Sequence, residues 1–215
     1  MDPDVEEGWV DHRVAEEFPE LRLRWMRLPA PATSGSPPEL QQRLRTLAGR
    51  FGGRQAIGLR REPIPHAYRV FFRGIGLDPD TTRTPIEELA FERLFEGGFP
   101  SRGHLADALR LALIETSVPV WAVDAAGLDG PLGIRTARSG ERLGGGPYAN
   151  DLPEGRLVVA DAGHPVAVLF GDLAPRARPG AAARELCVFS VQVAGVPQIH
   201  VEESLWLCAE ALDAA

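Results

Sequence analysis

The fold is decided by P-V-W-A-V-D (Pro119–Asp124), which leads into L-G-I-R-T (Leu132–Thr136), R-L-V-V-A (Arg156–Ala160) and P-V-A-V-L-F (Pro165–Phe170). These are short, valine-rich apolar runs bounded by Gly, Pro and Asp, which is how buried strands read. The pattern predicts strands at 118–123, 132–136, 156–160, 165–170 and 185–193. Working outward, L-R-L-R-W-M-R-L (Leu21–Leu28) alternates as a strand with one buried face. Between Pro38 and Thr116 the apolar period is helical instead.

Ser36 three residues before Glu39, with prolines between, predicts a capping box that opens a helix. Leu40, Leu44 and Leu47 form its apolar stripe, and Gly52-Gly53 stops it. A second helix is expected over 64–75, burying Tyr68, Phe71, Phe72 and Ile75. Thr84-Pro85-Ile86-Glu87 opens another, ending at Gly97-Gly98. One more follows Gly103 to about Thr116, with Leu105, Leu109, Ala112 and Leu113 inward. A closing helix is expected over 196–211, carrying Ile199, Leu205, Trp206 and Leu207. A helical N-terminal half followed by a mostly β C-terminal half argues for an α+β fold, read as one layered domain over 21–213 after a flexible acidic segment at 1–20.

The 215 residues are 44% hydrophobic and 25% charged, enough for a sizeable core. No run approaches the roughly 20 apolar residues of a membrane span, and residues 1–9 lack the layout of a signal peptide. No membrane association and a cytoplasmic location are the expectations. Cys187 and Cys208 are too few and too far apart for a metal knuckle or a redox pair, and their apolar neighbours mark them as core thiols. The net charge of −7 opposes unaided nucleic-acid binding. Its distribution is uneven: residues 39–61 hold six arginines against one glutamate, and the chain has no lysine. Arginine suits phosphate; a solvated helix face and a coding bias are the competing readings.

No self-contained catalytic motif is present, so the catalytic residues are unassigned. Gly144-Gly145-Gly146 lacks the Lys-Ser/Thr of a phosphate loop and reads as a plain turn. His200-Val201-Glu202-Glu203 lacks the histidine pair of a helical zinc site, and Arg138-Ser139-Gly140 is no nucleophile elbow. No metal and no cofactor are expected. Any hydrolysis would proceed by positioning a water.

The order of Asp107, Glu115, Pro119, Ala122 and Asp124, then R-T-A-R-S-G-E (Arg135–Glu141), then L-V-V-A-D (Leu157–Asp161), resembles the tRNA-editing domain of the bacterial phenylalanyl-tRNA synthetase β subunit. The resemblance covers about residues 60–195 and is firmest over 105–168. It implies a free-standing relative that does not aminoacylate. It further implies tRNA or aminoacyl-tRNA as partner and hydrolysis of mischarged aminoacyl-tRNA in trans, the second sieve that removes a wrongly attached amino acid. On that basis Asp107, Glu115, Trp121, Asp124, Glu141 and Phe170 are the candidate substrate-binding residues, and Arg43, Arg45, Arg50 and Arg54 the candidate tRNA contacts.

The chain also departs from the family. Trp121 stands where the family has histidine, Leu109 and Arg110 where it has threonine and asparagine, and Leu169-Phe170 where it has small residues. A pocket lined by Trp121 and Phe170 suits an apolar or planar ligand; the alternative is that both rings pack the core. Asp107 and Asp124 have structural alternatives too, as a helix acid and a turn opener. A non-catalytic binding module for a small ligand or a protein partner remains the rival function.

Overall fold

Residues 22–29 bury Leu23 and Trp25 on one face and Met26 and Leu28 on the other, not the single face expected from their alternation, and pair along their whole length with 185–192, which builds one sheet. In the computed structural model, which describes residues 4–144 and 150–213, these are β3 (Arg22–Pro29) and β8 (Glu185–Gln192), antiparallel with Arg22 opposite Gln192 and Pro29 opposite Glu185. Adding β1 (Glu6–Glu7) and β4 (Val120–Asp124) gives the order β1-β3-β8-β4. A second sheet runs β2 (Trp9–Val10), β5 (Gly133–Thr136), β6 (Leu157–Ala160), β7 (Pro165–Val168), with β2 parallel to β5 and the remaining pairs antiparallel. Every residue of β6 is buried, which is why it reads as a continuous apolar run rather than an alternating one.

The fold is α+β. Its contacts group into two compact units: a β-rich one, Met1–Ala30 with Trp121–Gln192, and a helical one, Pro31–Val120 with Val193–Ala215. The expected single span of 21–213 therefore covers two such units, because the chain leaves the β-rich unit at Ala30 and returns at Trp121. Residues 4–20, expected as a flexible lead, hold β1, β2 and α1 (His12–Glu17). The Trp9 indole N–H donates to the Pro131 carbonyl (3.1 Å), and Asp11 caps α1 by accepting from the Arg13 amide (3.0 Å). The Trp9 ring lies flat against Gly133, where any side chain would overlap it.

The helical unit contains α2 (Pro38–Leu47), α3 (Gly53–Gly58), α4 (Pro63–Gly74), α5 (Pro85–Glu96), α6 (His104–Thr116) and α7 (Gln198–Asp213). The capping box at Thr84–Glu87 forms as expected, and Gly97 ends α5 in the left-handed conformation. The one expected at Ser36 does not. Pro37 precedes another proline, which disfavours helical backbone, so it stays extended (φ −58°, ψ 146°) and becomes the N-cap itself. The buried Ser36 hydroxyl is left without a partner.

On α6 the buried stripe is His104, Asp107, Ala108, Leu111, Ala112 and Ile114. It is rotated from the expected leucine stripe, and Leu105, Leu109 and Leu113 are half-buried. On α7, Leu205 is buried, whereas Ile199 and Trp206 are exposed. A short 3-10 turn spans Pro175–Ala177, and Arg176 there donates to the Gly127 carbonyl (2.7 Å). Gly145 and Gly146 of the expected glycine turn lie outside the described residues. Gly144 has φ 85° and donates its amide to the Pro165 carbonyl.

Candidate functional site

Prolines start α2, and its polar face carries a row of long side chains. Gln42, Arg43, Arg45 and Thr46 from that row, together with Leu47 and Arg50, line a cleft of about 720 Å³ in the helical unit. Pro38 and Glu39 complete one wall, and Glu115 enters from the last turn of α6. The Glu115 carboxylate meets two guanidinium groups, Arg43 at 3.3 Å through Oε1 and Arg50 at 2.8 Å through Oε2. Arg45 instead forks onto a neutral partner, the Gln42 side-chain oxygen, at 3.0 and 2.8 Å.

Three of the four arginines assigned to tRNA from the sequence thus share one cleft, and Glu115, assigned to the substrate, is their counter-ion. Arg54 lies on α3 and is exposed, and it does not line the cleft. Gln42 and Thr46 were missed by the sequence reading. Gln42 lies one turn before Arg45 on α2, and Thr46 four residues before Arg50 in the turn that follows, and this spacing was the available signal.

Asp107 also belongs to the helical unit, fully buried near the N-terminus of α6. One of its oxygens accepts from the Ser101 hydroxyl (2.6 Å) and the other from the Arg102 amide (3.0 Å). The residue ties the incoming chain to the helix start, where a negative charge is also favoured by the helix dipole.

Trp121, Asp124, Glu141 and Phe170 fall in the β-rich unit. Trp121 meets Phe170 edge-on, with centroids 5.4 Å apart at 73°, and stacks on Phe189 at 5.6 Å and 17°. Both Trp121 and Phe170 are half-buried, while Phe189 is buried. Phe170 adopts φ 57°, a strained conformation for an aromatic residue. Asp124 accepts from the Ala126 amide (3.0 Å) and opens the turn Ala125–Gly127.

Glu141 grips Arg135 through two bonds of 2.7 and 2.6 Å and accepts from the Arg138 amide. The guanidinium of Arg135 beside it holds the Glu141 carboxyl below its ordinary range, and the Arg135 pKa rises in turn. Asp161, which closes the L-V-V-A-D stretch but is not among the candidate site residues, is buried and accepts from the amides of Asp129, Gly163 and His164 and from Arg176. Burial opposes its ionisation, but these donors outweigh burial and hold its pKa low. Burial pushes the thiols of Cys187 and Cys208 up to about 12, so both are inert.

Among the described residues no group of three or more His, Cys, Asp or Glu could hold a metal ion. Nor is any helix there long and apolar enough to cross a membrane.

Comparison with known proteins finds similarity to one subunit type. The chain is 36% identical over 105 residues to the phenylalanine–tRNA ligase β subunit of Xanthomonas euvesicatoria, covering 47% of this chain and 13% of that protein. The same subunit of Xanthomonas oryzae is 35% identical, and that of Xanthomonas axonopodis 34%, with the same coverage. The chain thus spans about 13% of the length of the relatives it matches. No family model matches it.

Proposed function

We propose that this protein binds tRNA through the arginine-lined cleft of the helical unit, and that it is an editing-type protein acting on mischarged aminoacyl-tRNA in trans. The observation that carries the reading is the convergence of Arg43, Arg45 and Arg50 on one cleft. Arginine presents a planar fork that matches phosphate oxygens, and phosphate contacts supply most RNA affinity. Similarity to a tRNA ligase subunit supports the choice of RNA over other polyanions. An aminoacyl side chain taken up at the Trp121–Phe170 pair would be apolar or planar, since neither ring offers a charge to a polar one. An aminoacyl ester is already activated, so a placed water and oriented N–H donors are enough for its hydrolysis.

One observation favours a second reading, a non-catalytic binding module on the same fold. The carboxylates of Asp107, Glu141 and Asp161 each have both oxygens engaged by donors within the protein, which commits them to holding the fold. The two readings separate in a deacylation assay with a panel of mischarged tRNAs. Editing requires at least one to be cleaved faster than in buffer. If none is, while a known editing enzyme cleaves its own substrate, hydrolysis is excluded and the binding module stands.

A further inference from the structure

Glu115 is placed against the preference of its own helix. It lies in the last turn of α6, where the unpaired carbonyls make a negative charge unfavourable, and that turn holds no basic residue to offset it. The compensation comes from α2 and the turn after it, through Arg43 and Arg50. One carboxylate, with one oxygen for each guanidinium, therefore holds two arginines seven residues apart in sequence. A phosphodiester carries the same two oxygens and forms the same charge-assisted bonds.

The geometry points to Glu115 as a displaceable counter-ion: an RNA phosphate replaces its carboxylate between Arg43 and Arg50, so the residue sets how strongly the cleft accepts polyanions. This rests on reading the cleft as an RNA contact. It adds a discriminating role that the arginines alone do not supply. A single anion only exchanges for the carboxylate, whereas successive phosphates engage the two released arginines separately. The other glutamate of the cleft, Glu39, has no arginine partner among the described residues and provides the control.

The test compares the full chain, Glu115→Gln and Glu39→Gln for binding to deacylated tRNA and to inorganic tripolyphosphate at low salt. Glu115→Gln should tighten both by about five- to ten-fold, the scale of one or two exposed ion pairs, and Glu39→Gln by less than about two-fold. Equal gains from the two variants mean that net charge alone is responsible and overturn the proposal. So does a Glu115→Gln affinity equal to or below that of the unaltered chain. If tripolyphosphate shows the selective gain but tRNA is not retained by any of the three, the RNA reading fails and the counter-ion role survives. If neither probe binds, both fall. Glu115→Asp keeps the charge but shortens its reach; it should give a smaller gain in the same direction, which provides a second variant should Glu115→Gln fold poorly.

Discussion

Glu141 in the β-rich unit and Glu115 in the helical unit both engage arginine, yet their surroundings differ. The Arg135 and Glu141 side chains are 10% and 14% exposed and joined by two short bonds. Arg43 and Arg50 are 41% and 63% exposed, and each contributes one bond to Glu115. A pair shielded from water is held by its geometry and is costly to break. An exposed pair contributes little and is open to competition from another anion. The same two residue types thus serve as a lock in one unit and as a latch in the other. The sequence pattern R-x-A-R-x-G-E, Arg135–Glu141, belongs to the lock.

This contrast can be broken most forcefully at Arg135. Arg135→Ala strands the Glu141 charge and should cost about 3–5 kcal/mol in urea unfolding; a loss below about 1 kcal/mol would place the pair with the surface bridges. The same pair has a pH signature. Because the folded-state pKa of Glu141 lies below its unfolded value, the unfolded chain takes up the proton first as pH falls. Its contribution is complete above the ordinary glutamate range, near pH ~4.3, and is lost as pH drops through the depressed folded value. Glu141→Gln should flatten that part of the stability profile, and an unchanged profile would contradict the assignment.

A smaller effect is expected at Asp107, a buried acid bonded to an amide and a hydroxyl but, among the described residues, to no guanidinium. Asp107→Ala leaves the Arg102 amide unpaired and should cost about 1–3 kcal/mol, again read from the urea midpoint. The smallest is at Arg43. Arg43→Ala should change stability by less than about 1 kcal/mol, and a larger loss would turn the latch into a second lock.

Much of this arrangement was legible in the sequence, though unevenly. The strands at 157–160 and 165–168 and the capping box at Thr84 follow from local composition, and all three formed. The six residues of α3 were not legible because Gly52-Gly53 reads as a stop and none of its residues is buried, so it leaves no apolar period. The pairing of β3 with β8 joins segments more than 150 residues apart and leaves no trace in either strand. Asp107 was read as a polar position near a substrate or on an exposed helix face. Its burial depends on Ser101 and the Arg102 amide folding back over it, which spacing along the helix cannot convey. The clustering of Arg43, Arg45 and Arg50 was visible as charge. Their convergence with Glu115 depends on how α2 packs on α6.

The central claim, that the cleft arginines meet an RNA backbone, is tested most directly by the salt dependence of tRNA binding. For the unaltered chain the log–log slope should be about −0.7 to −0.9 per phosphate contact, and Arg43→Ala combined with Arg50→Ala should flatten it by roughly 1.4–1.8. A slope unchanged by the double substitution, or no tRNA retention at low salt, would contradict the account.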